Sequence, residues 1–116
     1  MKTRFQIGKE SEDRACAYLV SNGYSIIQRN CRRRFGEIDL ICSSKTSLVA
    51  VEVKTIPENW EEWDICRMVN PRKLCKIRRV LSSFIANEGS LNYDDVRFDV
   101  IAVHRSGGIR HYQGVG

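Results

Sequence analysis

Histidine, proline and tryptophan are scarce in this chain, with two of each in 116 residues. Its five cysteines, Cys16, Cys31, Cys42, Cys66 and Cys75, include no CxxC pair, and their number is odd. The spacing signature of a zinc ribbon and the even count of a disulfide framework are therefore both missing. The cysteines read as small buried apolar side chains in a reducing compartment. A zinc site built from them with His104 or His111 has no spacing to support it. No run of about 18 apolar residues occurs, so no membrane-spanning helix is expected. The opening MKTRFQIGKE lacks the apolar stretch of a secretory signal, which points to a cytoplasmic protein. Repeats, low-complexity tracts and linkers are absent as well, and 116 residues suit one compact domain.

What is present is globular in character. Hydrophobic residues make up 42%, enough for a core without metal or disulfide staples. The pattern reads α-β-β-β-α-β-β, an α/β protein with a mixed central sheet flanked by helices. A first helix is expected from about Lys9 to Ser21, stopped by Gly23. Its stripe is Ala15, Cys16 and Leu19, and Glu12 lies on the same face one turn upstream. A strand is expected at Tyr24–Asn30 and another at Gly36–Cys42. Period two puts Glu37, Asp39 and Ile41 on one face of the latter and Ile38, Leu40 and Cys42 on the other. The loop SSKTS leads into a third strand, LVAVEVKT. Asn70-Pro71 opens a second helix that ends at Gly89, with Leu74, Ile77, Val80, Leu81, Phe84 and Ile85 as its apolar face. Two strands, 96–104 and 109–113, close the fold.

The third strand poses a physical problem. Its valines alternate as a buried strand requires, yet Glu52 and Lys54 share its other face. If the hairpin pairs Asp39 with Glu52 and Glu37 with Lys54, four charged groups meet on one side of the sheet. Two carboxylates a few ångströms apart are hard to keep ionised. Mg²⁺ or Mn²⁺ resolves that conflict, because such ions take one or two carboxylates plus water and phosphate oxygens. Asp39 and Glu52 are the metal candidates, with the Val53 carbonyl as a further ligand. Lys54 would position the attacking water and stabilise charge on the phosphate. Glu12 would hold a metal-bound water if its helix packs beside that face. The plainer account is ordinary polar positions with a Glu–Lys cross-strand pair.

The charge distribution bears on partners. Lys and Arg outnumber Asp and Glu by 19 to 14, giving a net charge of +5. No acid lies between Asp64 and Glu88, a span that carries Arg72, Lys73, Lys76 and Arg79. Arg72, Lys76 and Arg79 fall on one helix face, with Lys73 near that row. Arg32, Arg33 and Arg34 run directly into GEIDLI. Such clusters suit a phosphate backbone; the alternative is a solvated helix face and a charged loop. The acidic segment containing Trp60 and Trp63 reads as a lid, a self-association patch or two rings folded onto the core. His104 and His111 read as structural, and Asp99 as the partner of Arg97.

More of the chain carries the same signature. Gly8, ExxA at 12–15, YL at 18–19, GY at 23–24, Asn30, GEIDLI at 36–41, VEVKT at 51–55, Lys73 and RFDVIAV at 97–103 occur in that order. Together they resemble the YraN-like family of small bacterial proteins, which are similar to Holliday-junction resolvases and to the restriction-endonuclease-like superfamily. Ser11 and Ile56 depart from the family pattern, which usually has Gly and Arg there. The resemblance implies an endonuclease-like core with its D…ExK pattern retained at Asp39, Glu52 and Lys54, and with Glu12 beside it. The resemblance does not itself supply a reaction; joined to the acids and Lys54, the expectation is a Mg²⁺-dependent, structure-directed DNA endonuclease acting on branched or single-stranded DNA, with Lys73 contacting phosphate. A four-way junction has two equivalent cut positions, which a symmetric homodimer would match. The rival is a nucleic-acid-binding protein of the same fold without catalysis.

Overall fold

The computed structural model describes residues 1–57, 59, 64–65, 70–89 and 92–115. Helix α1 spans Arg4–Ser21. It begins at Arg4 rather than near Lys9 because Thr3 and Gln6 form a capping box. The Thr3 hydroxyl accepts from the Gln6 N–H (3.1 Å) and the Gln6 side chain accepts from the Thr3 N–H (2.8 Å). Glu12 therefore stands in mid-helix, not in a first turn. The chain leaves α1 through Gly23, whose φ of 86° suits a residue without a Cβ.

Five strands follow the expected pattern: β1 (Ser25–Arg33), β2 (Gly36–Ser44), β3 (Ser47–Ile56), β4 (Asp95–His104) and β5 (Ile109–Tyr112). They lie in the order β1-β2-β3-β4-β5. β3 and β4 are parallel and the other neighbours antiparallel. Helix α2 (Pro71–Asn87) lies between the parallel pair in sequence, the crossover such a pair needs. Asn70 caps it, its side chain accepting from the Arg72 N–H at 2.9 Å, and Pro71 occupies the first turn. Of the expected face, Leu74, Ile77, Val80, Leu81 and Phe84 are buried and Ile85 is half-buried at its end.

The sheet separates two cores. Ala15 and Leu19 of α1 pack on Leu40, Cys42, Val49, Val51, Ile101 and Val103. Ile77, Val80, Leu81 and Phe84 of α2 pack on Cys31, Ile38, Ile41, Leu48 and Ala50. The valines of LVAVEVKT thus face α1, and its other side faces α2. Ser11 is buried against β3, its hydroxyl 2.7 Å from that of Thr55.

Three expectations need correction. β1 continues past Asn30 to Arg33, so Arg32 and Arg33 belong to a strand and not to a charged loop. Ile38 sits in the α2-side core beside Ile41 instead of with Leu40 and Cys42. Strict alternation fails there because Asn30, in the paired strand, adopts a left-handed φ of 52°, and the regular β2–β3 ladder stops at Leu40 opposite Val51. Cys31 and Cys42 are buried and Cys16 half-buried, but Cys75 is exposed on the polar side of α2. Trp60, Trp63 and Cys66 lie outside the described residues.

Asp99 is fully buried and explains the far end of the α1-side core. Arg97 donates to both its oxygens (2.8 and 2.9 Å), His111 Nε2 lies 2.7 Å away, and the Gly114 N–H donates at 3.0 Å. Burial alone would raise this carboxyl, but the bonds from His111, Arg97 and Gly114 outweigh it and hold Asp99 below its ordinary range. Arg97 is the partner expected from RFDV, and His111 is a structural member of the same network, linked onward to the Tyr18 hydroxyl at 3.1 Å.

Candidate active site

The site lies where β2 and β3 part. Leu40 faces Val51 and Ile41 faces Ala50, the register that sets Asp39 toward Glu52. Past Leu40 the strands open. The Asp39 side chain takes over the backbone's role there, its Oδ2 accepting from the Val53 N–H at 2.8 Å. A main-chain group that would lose its ladder partner is satisfied by a carboxylate, and that bond fixes the carboxylate beside Glu52. Asp39 and Glu52 line one small cleft with Ile38, Val51, Ile77 and Phe98. Its volume of about 20 Å³ has room for one water-sized species.

The electrostatics of this cleft are strained. Burial pushes the Asp39 carboxyl up; the Val53 N–H opposes it; the charges of Glu52, Glu12 and Glu37 add to the rise, and the result is about 6. Glu52 has one oxygen 2.6 Å from Lys73 Nζ of α2. Its other oxygen, Oε2, is buried with no hydrogen-bond partner among the described residues. An orphaned buried carboxylate oxygen is costly. A small cation in the cleft would satisfy it and lower the Asp39 carboxyl at once.

Glu37, Asp39 and Glu52 share the cleft on the α2 side, and a fourth acid approaches from the other layer. Glu52 is on the α2 side, where Lys73 meets it. Glu12 comes from α1, on the opposite side of the sheet, with Arg29 Nη2 3.6 Å from its carboxylate. Asp39 stands between them at the opening of the strands. Only the condition set for Glu12 is unmet, because α1 covers the other side of the sheet, whereas Glu37, Asp39 and Glu52 line one cleft. Among the described residues, no three His, Cys, Asp or Glu side chains are grouped closely enough to hold a metal by themselves. A pair of carboxylates completed by waters and phosphate oxygens is nevertheless an ordinary Mg²⁺ set. Lys54 is exposed. Strand alternation places it on the Glu52 side, and it has no ion-pair partner among the described residues.

The basic residues are divided. Arg72, Lys76 and Arg79 form an exposed row on α2, with the Arg79 guanidinium 4.4 Å from the Phe35 ring centre. Lys73 is half-buried against Glu52 and faces the acids. Arg33 donates to the Ser83 hydroxyl at 3.0 Å, and Arg32 lies 3.5 Å from Glu37. Arg34 is exposed in the β1–β2 turn. Sequence reasoning missed the Lys73–Glu52 pair, which joins elements far apart in the chain. It also missed Arg4 and Lys9, which the mistaken start of α1 left outside or at the margin of the helix.

A carboxylate pair beside a lysine, at the point where two strands of a mixed five-stranded sheet part, belongs to a small protein of the α/β class, with helices on both sides of the sheet. Within that class the particular family is established by comparison. Residues 11–103 match the family described as "Uncharacterised protein family UPF0102". A UPF0102 protein of Petrotoga mobilis is 40% identical over 105 residues, covering 90% of this chain and 92% of its own. One of Tropheryma whipplei is 37% identical over 117 residues, covering 97% and 95%. One of Sulfurihydrogenibium is 38% identical over 99 residues, covering 84% of each. The chain belongs to the UPF0102 family, in agreement with the YraN-like resemblance. Among the described residues, no helix is long and apolar enough to cross a membrane.

Proposed function

We propose that this protein is a Mg²⁺-dependent endonuclease that hydrolyses phosphodiester bonds in DNA, directed by DNA structure rather than by base sequence. The observation that carries the reading is the Asp39–Glu52 cleft, with a carboxyl raised to about 6 and a buried carboxylate oxygen without a partner. Asp39 and Glu52, with the Val53 carbonyl, would hold the ion. When bound, it supplies Lewis acidity and makes water a better nucleophile. Lys54 orients that water and offsets the charge that develops on the phosphate. Glu12, already close enough to raise Asp39, anchors water on the α1 side. Arg72, Lys76 and Arg79 bind backbone phosphates, as do Arg32, Arg33 and Arg34 at the β1–β2 end.

Cleavage of branched and single-stranded DNA with Mg²⁺ or Mn²⁺ tests this reading. Asp39→Ala and Lys54→Ala should each lower the rate by about 100-fold or more. Equal rates in wild type and both variants would refute it.

One observation favours a second reading. The Lys73 ammonium at 2.6 Å from Glu52 already compensates part of the charge that an ion would neutralise. On that reading the protein binds nucleic acid without cutting it. Retention of branched DNA with no product in either metal would then be the outcome.

A further inference from the structure

A second concavity opens on the α1 side, between the start of α1 and the β1–β2 edge. It is larger than the acid cleft, about 490 Å³. Four cationic side chains line it, Arg4, Lys9, Arg29 and Arg32, against two acids, Glu12 and Glu37. Arg29 is held by Asp13 at 2.7 Å, and Arg32 lies by Glu37. Arg4 and Lys9 have no acidic partner among the described residues. The lining also includes Phe5, a residue 77% exposed, and Asn30, the left-handed residue inside β1.

Each feature lacks a structural purpose of its own. An exposed phenyl ring contributes nothing to the core. A left-handed residue in mid-strand is uncommon, and Asn30 holds that conformation at the wall of this groove. Two unpaired cations beside a ring repeat the usual design for unpaired polynucleotide: charge along the backbone and an aromatic face for a base. A duplex keeps its bases stacked on each other and has no ring face to offer Phe5. The groove borders the acid cleft, since Glu37 lines both.

We infer that the groove between α1 and the β1–β2 edge is a binding track for an unpaired nucleic-acid strand, with Phe5 as the stacking platform and Arg4 and Lys9 as phosphate contacts. The inference names the substrate class of the proposed nuclease and rests on that reading only for where the strand leads. Binding itself is measured without catalysis.

Fluorescence anisotropy in EDTA, with labelled oligothymidine and a duplex of equal length, tests it. Asp39→Ala is the background, so that loss of cutting does not enter. Phe5→Ala should weaken single-strand binding by about 5-fold to 100-fold and leave duplex binding unchanged. Phe5→Trp should restore affinity, with its fluorescence quenched by the bound base. Arg4→Gln with Lys9→Gln should reduce the salt slope for single strand by about 1.4, two contacts at about 0.7 each. Phe5 is exposed, so its variants are expected to fold, which circular dichroism verifies. The inference is overturned if Phe5→Ala binds single strand as tightly as its parent. It is overturned equally if heparin competes with no dependence on Phe5, which marks a charge-only surface, or if only Arg72→Gln with Lys76→Gln removes binding. Tight single-strand binding through Phe5 without cleavage in Mg²⁺ would refute the nuclease and leave the track intact.

Discussion

Replacing Asp39 by Asn should make the protein more stable at neutral pH while removing a ligand of the proposed Mg²⁺ site. The folded chain keeps the Asp39 proton up to about pH 6, against an ordinary value of 3.8. Between those values the native state holds more protons than the unfolded one, so stability falls as pH rises through that window. Above it the full cost of the buried charge is present. A rise of that size corresponds to about 3 kcal/mol at about 1.4 kcal/mol per unit. Partial access to water at the mouth of the cleft reduces this to about 2–3 kcal/mol. An Asn keeps the acceptor for the Val53 N–H and carries no charge. Thermal melts at pH 7 should place the variant on the order of 10 °C above wild type. At a pH below about 3.8 the advantage should vanish, because both side chains are then neutral. Mg²⁺ should raise the wild-type midpoint, by about 1.4 kcal/mol at ten times the dissociation constant, and leave the variant's unchanged. A variant less stable than wild type at pH 7, or a difference independent of pH, would refute the electrostatic account.

Two further perturbations address neighbouring charges. Lys73→Met should cost about 1–2 kcal/mol in urea unfolding, since Glu52 loses the one cation that pairs with it among the described residues; added Mg²⁺ should recover more of that loss than it adds to wild type. Asp99→Ala should cost about 3–5 kcal/mol, because Arg97 and His111 are left without their buried acceptor. The pH signature of Asp99 is opposite to that of Asp39. Its carboxyl is held low, so its contribution is present at neutral pH and lost as pH falls below the unfolded value. Urea midpoints measured against pH should show this loss in wild type and not in Asp99→Asn.

The cost carried at Asp39 has a counterpart in Glu52 and Asn30. A buried oxygen without a partner, a raised carboxyl and a left-handed non-glycine residue all gather within the small region where β2 leaves β3. Natural folds tolerate such concentrations of unfavourable detail at sites of use and compensate with packing elsewhere. Here the compensation is the pair of cores on either side of the sheet, with Leu40, Ile41 and Val51 fully buried next to the opening.

Local rules were sufficient for much of this architecture. Period two in LVAVEVKT, the spacing of Leu74 to Phe84 and the Asn70-Pro71 cap depend on residues near one another in the chain, and the structure follows them. The hairpin register was not legible in this way: alternation allows Asp39 opposite Glu52 without requiring it, and the ladder of Leu40 with Val51 decided it. The early start of α1 was written in Thr3 and Gln6 and simply outweighed by the later apolar stripe. Long-range partnership was not legible. That Lys73 meets Glu52, that Glu12 approaches from the opposite layer, and that Phe5 and Asn30 line one groove depend on how two helices cover two faces of a twisted sheet. Periodicity assigns a side chain to a face of its own element, but which other element arrives there, and at what distance, is a property of the assembled packing.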